Sequence, residues 1–189
     1  SSGRLKALLV LNDNPLFCPD NEAAAKMISH IETVRKEGDT LGGIVEILVT
    51  GCPAGLGEPV FEKLDATLAG ALMSIGAVKG VEIGAGFAAA AMRGSENNDA
   101  ILPAGFATNN AGGILAGISN GDSIVARVAV KPIPSIGKEQ QTINLAHEPV
   151  TVSIGGRHDI SAIPRIIPVC EAMVALTLAD HLLRQKTIA

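Results

Sequence analysis

The chain closes on PVCEAMVALTLADHLLRQK (168–186), a segment whose apolar residues refuse to keep to one stripe. At helical spacing Val169, Met173 and Leu183 fall on one side, while Val174, Leu178 and Leu182 fall on others. A helix with so wide an apolar surface must be buried on more than one side, so the rest of the chain has to build layers around it. The material for those layers is aliphatic, because the sequence holds four Phe and neither Tyr nor Trp. The same shortage removes the aromatic platforms on which single-stranded nucleic acid stacks. A net charge of -4 argues further against a polyanionic partner, although a local basic pocket can still take one small anion. At 189 residues, 47% of them apolar and 18% charged, the chain reads as one folded domain and not as a disordered segment.

Elements that could supply the layers are legible from periodicity. From Asp20 to Lys36, Ala24, Met27, Ile28, Ile31 and Val34 recur at three- and four-residue intervals, with Asp20 or Asn21 as N-cap and Gly38 as the stop. IVEILVT (44–50) is short and β-branched, hence a strand, and GCPAGLGEP (51–59) is a loop. A second helix is expected from about Pro59, carrying Val60, Leu64, Leu68, Ala71, Leu72 and Ile75 on one stripe and ending at Gly76. VKGVEIGAGF (78–87), SIVARVAVKP (123–132) and PVTVSI (149–154) read as strands, and the terminal helix is expected from about Pro168 to Lys186. Between them, GSENNDAILPAGFATNNAGG (94–113) is a long polar excursion of the functional or mobile kind. The later strands follow one another without intervening helices, so the class is α+β, with helices packed on or between sheets.

No uninterrupted apolar run reaches the ~18 residues of a membrane span, and a soluble, cytoplasmic protein is expected. Cys18, Cys52 and Cys170 lack metal-site spacing, so neither a disulfide framework nor a metal site is expected. The opening SSGRLKALLVLND has no initiator Met, as in a processed or partial chain.

Four stretches could carry chemistry: SIGAVKG (74–80), NNAGGILAGISNG (109–121), KPIPSI (131–136) and GGRHD (155–159). Glycine lets backbone N–H groups approach a ligand, and Lys79, Lys131 and Arg157 could neutralise anionic oxygens, which suggests a site for a phosphorylated ligand. Each has a plainer reading. The glycines make tight turns, Lys131 ends a strand in solvent, and Arg157-His158-Asp159 forms a charged turn whose aspartate meets a helix dipole. Asp180-His181 reads as structural, and His30 and His147 as solvated. The P-loop, the dinucleotide-binding fingerprint and the nucleophile elbow are all absent.

Taken together and in order, NPLFCPD, GDTLGGIVEI, PAGLGEPVFEKLDATLAGALMSIGAVKGVEIGAGF, RGSENND, TNNAGGILAGISNG, KPIPSI and GRHDISAIPRIIPVCEAMVALTLADHLL resemble the chorismate synthase family. The likeness runs from about Asn14 to Arg184. It implies a sandwich with helices packed between antiparallel sheets, assembled as a homotetramer. It also implies the last step of the shikimate pathway, on the way to the aromatic amino acids. In that reaction 5-enolpyruvylshikimate 3-phosphate loses phosphate and a proton by 1,4-elimination to give chorismate, with reduced FMN and no net redox change.

Carried over position by position, the resemblance makes Gly76 and Ala77 a flavin-contacting pair. It adds Ala116 and the run Lys131, Pro132, Ile133, Pro134 and Ser135 as further FMN contacts, and Arg157 as the flavin-binding arginine. Asp159 becomes the catalytic carboxylate that manages the proton at flavin N5, with His158 assigned to positioning. Departures from the family pattern are the alanine at 116, the Ile133-Pro134 pair where hydroxyl side chains are common, and GRHDIS in place of GRHDP. Family members are roughly twice as long. Residues 1–189 therefore resemble the C-terminal portion, without the half that carries the catalytic histidines, the Arg-Ser-Ser flavin segment and the substrate-holding arginines. A lyase inactive on its own is expected from this piece. A non-catalytic flavin-binding module and a structural or assembly fragment remain the alternatives.

Overall fold

A computed structural model describes residues 14–188, so the opening SSGRLKALLVLND lies outside the described residues. The element order is α1 (Asn21–Lys36), β1 (Gly43–Val49), α2 (Leu64–Met73), β2 (Val78–Ile83), α3 (Gly94–Asn97), β3 (Ile101–Leu102), β4 (Gly105–Phe106), β5 (Ile114–Leu115), β6 (Ile118–Ser119), β7 (Ile124–Val130), β8 (Gln140–Ile143), β9 (Pro149–Val152) and α4 (Ile163–Ile188). A 3₁₀ segment, Gly86–Ala91, precedes α3. The class is α+β, as expected.

Strands β1, β7 and β2 form an antiparallel sheet with β7 in the centre. Gly43 pairs with Val130 and Val49 with Ile124, and on the other side Val78 pairs with Val130 and Ile83 with Ala126. That register turns Val45, Ile47, Ile124, Ala126, Val128 and Val130 to one face, which is buried. Helices α2 and α4 lie on that face. Helix α2 contributes Leu64, Leu68 and Leu72 at four-residue spacing, each fully buried, and α4 contributes Ile166, Cys170, Val174 and Leu178. The core is aliphatic, as the composition requires. None of the four phenylalanines is buried, and Phe61 and Phe87 are among the most exposed side chains.

The capping expectations for α1 hold. Asp20 Oδ1 accepts the backbone N–H groups of Glu22 and Ala23 at 2.8 and 3.1 Å, and Gly38 leaves the helix at φ +71°. Both other helix starts differ from the sequence reading. Helix α2 begins at Leu64 and not near Pro59, because Glu58 and Glu62 exchange backbone hydrogen bonds of 2.8 and 2.9 Å across a tight turn. Val60 consequently points into solvent and leaves the predicted stripe. Helix α4 begins at Ile163, and Pro168 lies inside it. The proline forfeits one bond to the Pro164 carbonyl, on the exposed side, while Ile163, Ile166 and Ile167 pack beneath and carry the helix through.

By length and composition α4 is apolar enough to cross a membrane, yet Cys170, Val174 and Leu178 on one of its faces are core residues. His181 is also buried on α4, with Nε2 2.8 Å from Thr67 Oγ1 on α2. Asp180 beside it pairs with Arg184 at 2.8 Å, and His30 and His147 are exposed.

Candidate functional site

Where β7 ends, the chain enters a stretch with no regular partner. The Lys131 N–H donates to the Ala77 carbonyl at 2.9 Å, so the Gly76-Ala77 pair beyond the end of α2 touches the start of KPIPS. Ala77 sits at φ +73°. A left-handed alanine costs backbone energy, and such positions gather where structure serves a ligand. Pro132 and Pro134 have no N–H, so the run between them is tied down by its carbonyls. Ile133 O accepts the Thr40 hydroxyl at 2.6 Å, and Pro134 O accepts Gln140 Nε2 at 3.0 Å. Within this run, among the described residues, Lys131 Nζ has no ion pair and Ser135 Oγ no hydrogen bond. Lys79 is exposed on β2 at a register shift next to Val78, at the same end of the sheet.

The GGRHD turn lies just ahead of α4. Asp159 Oδ2 pairs with Arg165 at 2.8 Å, while Oδ1 is 3.9 Å from Arg157, whose side chain is 83% exposed. Arg165 thus holds the carboxylate, and Arg157 is left largely free for another anion. His158 Nε2 lies 2.8 Å from the Ile154 carbonyl and must be the donor there, which fits positioning more than proton transfer. The two stretches are joined through the turn after α1. Besides Thr40, Asp39 pairs with Lys138 at 2.8 Å, and the Leu41 N–H donates to Ile160 O at 2.7 Å. Hydrogen bonds from Lys138 Nζ and the Thr40 N–H hold the Asp39 carboxyl below its ordinary pKa.

A cleft lined by Asp39, Thr40, Ile136, His158 and Ile160 has a volume of about 200 Å³. Sites for drug-sized ligands run to roughly 300–1,000 Å³, so this cleft alone is smaller than such a site. Ala116 stands apart from it. It turns the β5–β6 hairpin at φ +52°, and the neighbouring Gly117 carbonyl accepts Leu64 N–H at the start of α2. Ala77 follows the other end of that helix, roughly 15 Å away along its axis.

The polar excursion between β2 and β7 is organised by Asp99. Its Oδ1 accepts Thr108 Oγ1 at 2.6 Å and the Asn110 N–H at 2.7 Å, and its Oδ2 accepts the Ala111 N–H at 2.8 Å. Burial raises the pKa of this carboxyl, but those hydrogen bonds outweigh it and the net shift is downward. Beneath it, Gly84 and Gly112 cross at positive φ so closely that a Cβ on either would strike the other's backbone.

Sequence reasoning passed over Thr40, Arg165 and Asp99 as site-building residues. Arg165 could have been found, since it stands in the first turn of α4, six residues beyond Asp159. Thr40 bonds a residue 93 positions away, and nothing local in GDT signals that partner.

The chain is thus an α+β protein with an aliphatic core, in which the turn after α1 links the loop that carries Lys131 and Ser135 to the loop that carries Arg157 and Asp159. The comparisons carry this further. The family model described as chorismate synthase matches residues 3–183, and the chain belongs to that family. It is 70% identical over 178 residues to a chorismate synthase of Syntrophobacter fumaroxidans, covering 94% of this chain and 51% of that protein. A chorismate synthase of Syntrophus aciditrophicus is 67% identical over 175 residues, 93% of this chain and 49% of that protein. Among solved structures, a crystal structure of chorismate synthase superposes with a TM-score of 0.74 at 37% identity, over 92% of this chain and 46% of the other. The chain spans about half the length of the relatives it matches.

Proposed function

We propose that residues 1–189 form the C-terminal portion of a chorismate synthase, a phosphate-eliminating lyase that converts 5-enolpyruvylshikimate 3-phosphate to chorismate with reduced FMN. What carries the reading is the family match over nearly the whole chain, which includes the Lys131–Ser135 run and the Arg157–Asp159 turn. The donor set fits the flavin. Lys131 and Ser135 offer uncommitted donors to anionic or carbonyl oxygens, Arg157 adds an exposed guanidinium held to Asp159 only at 3.9 Å, and Gly76-Ala77 presents backbone next to Lys131. Bound FMN, in its reduced form, supplies electron density for loss of the allylic phosphate. On the protein side, Arg165 fixes Asp159 through Oδ2 and leaves Oδ1 as the atom that takes up or returns a proton. The parent enzyme is read as a cytoplasmic homotetramer. The half-length chain and its small cleft favour a second reading for the isolated piece, a flavin-binding module without turnover.

The test uses the isolated chain and a full-length chimaera in which the chain replaces its matching region in the Syntrophobacter relative. Phosphate release is followed anaerobically with reduced FMN. The chimaera is expected to turn over, Asp159→Asn to lower its kcat by roughly 100-fold or more, and the isolated chain to release no phosphate. A folded chimaera without activity beside an active parent enzyme would sink the proposal. So would an Asp159→Asn chimaera as fast as the unsubstituted one. Turnover by the isolated chain would overturn the inactive-piece reading.

A further inference from the structure

Thr40 is one of three buried polar residues in the described chain, only 9% exposed, and its side chain leaves the element that carries it to bond another. The stretches on either side of it, 131–139 and 153–162, meet at one end, where Gln140 pairs with Val152 in the β8–β9 ladder and Ser153 Oγ donates to Gly137 O at 2.8 Å; farther out, at Lys131–Ser135 and Arg157–Asp159, they run without helix or strand structure. Residues 39–41 bridge them there. Thr40 Oγ1 grips Ile133 O at 2.6 Å, Asp39 pairs with Lys138 at 2.8 Å, and Leu41 N–H grips Ile160 O at 2.7 Å. Ile133 stands midway between Lys131 and Ser135, and Ile160 immediately follows Asp159. The three-residue turn therefore spans the interval between the two sets of candidate ligand-binding groups.

We propose that Thr40 is a positioning residue. Through the Ile133 carbonyl it fixes the distance between Lys131 and Ser135 on one side and Arg157 and Asp159 on the other. Placement errors near 1 Å cost on the order of 100-fold in a reaction that depends on orientation, so a buried hydroxyl can matter without touching the ligand. Neither proline beside Ile133 can offer an N–H as an anchor, so besides Thr40 the run is held by the Lys131 N–H on Ala77 O and by Gln140 Nε2 on the Pro134 carbonyl. The inference rests on the flavin-site reading above.

It is tested in the full-length chimaera with Thr40→Val, which keeps the shape and removes the hydroxyl, and Thr40→Ser, which keeps the hydroxyl. Lys138→Met loosens the same turn from an exposed position. FMN affinity, the visible spectrum of bound FMN, kcat and KM are measured beside thermal unfolding. Thr40→Val should weaken FMN binding by roughly 10- to 100-fold and alter the bound-flavin spectrum. Thr40→Ser should restore affinity to within about threefold, and Lys138→Met should weaken it by a smaller factor, about threefold. Unchanged FMN affinity in Thr40→Val, while Arg157→Ala loses FMN, overturns the positioning role and leaves the flavin site standing. If Arg157→Ala and Lys131→Ala also bind FMN normally, the flavin-site reading itself fails. Should Thr40→Val not fold, unchanged affinity in Lys138→Met decides against the proposal, and weakened affinity with an unshifted melting temperature decides for it.

Discussion

At Asp99 two carboxylate oxygens collect hydrogen bonds from Thr108, Asn110 and Ala111, and a segment with little repetitive structure becomes fixed to the sheet. The ionised form is the one these donors favour, so the carboxyl titrates below its usual range in the folded chain. The sign follows directly. The stabilisation is fully present above about pH 4, the ordinary carboxylate value, and is lost as pH falls through the lower folded value. Asp99→Asn is expected to cost about 2 kcal/mol at pH 7 in urea unfolding of the chimaera, because one acceptor oxygen becomes a donor facing N–H groups. The gap between variant and parent should narrow as pH is lowered below about 4, and a gap independent of pH would contradict the account. In sequence, Asp99 is one more polar residue in an excursion that reads as a loop. Its partners lie 9 to 12 positions away across a hairpin, beyond any local pattern. Asp159 draws notice for the opposite reason, since glycines, charges and a helix start crowd into one short stretch, but residue by residue that stretch reads as a charged turn and its proposed role came only with the family resemblance.

The helices show where local signals suffice and where they mislead. Asp20 and Gly38 bracket α1 because capping is a local matter of orphan N–H groups and positive φ. A proline suits the first turn of a helix, and on that ground the reading began α2 near Pro59, while it began α4 at about Pro168. Tertiary packing decided otherwise in both cases. The Glu58–Glu62 bridge delays α2, and the apolar residues beneath Pro168 extend α4 backward. These starts make separable predictions for stability. Leu68→Ala, in the centre of the α2–α4 contact, should cost about 3 kcal/mol, whereas Val60→Ala should stay within roughly 0.5 kcal/mol. Chemical denaturation of the chimaera checks both, and equal losses would restore the longer helix. Helix α2 also lacks a side-chain cap, so packing has to hold it.

Across the whole molecule, the α+β class was legible because strands that follow one another without helices leave few other options, and the strand order was not. Only the folded chain shows β7 between β1 and β2, since the pairing joins residues 43 to 87 positions apart. The expectation that α4 is buried on more than one side is half met in this chain. Its inner face is core, while Val169, Ala172, Leu176, Ala179 and Leu183 form an exposed stripe at alternating three- and four-residue spacing. An apolar stripe of that kind either meets a second layer or binds whatever apolar material is nearby. The sandwich implied by the family places such helices between two sheets, so the consequence of charging the stripe should depend on how much of the protein is present. In the isolated chain, Leu176→Lys with Leu183→Lys should lower the fluorescence of a bound apolar dye and shift stability by no more than about 0.5 kcal/mol, as expected for exposed positions. In the full-length chimaera the same pair should cost at least about 3 kcal/mol, because lysines would then be buried without partners. Equal small effects in both proteins would mean that α4 keeps its outer face in solvent even in the complete enzyme, and the helix would then be a one-sided lid on its sheet.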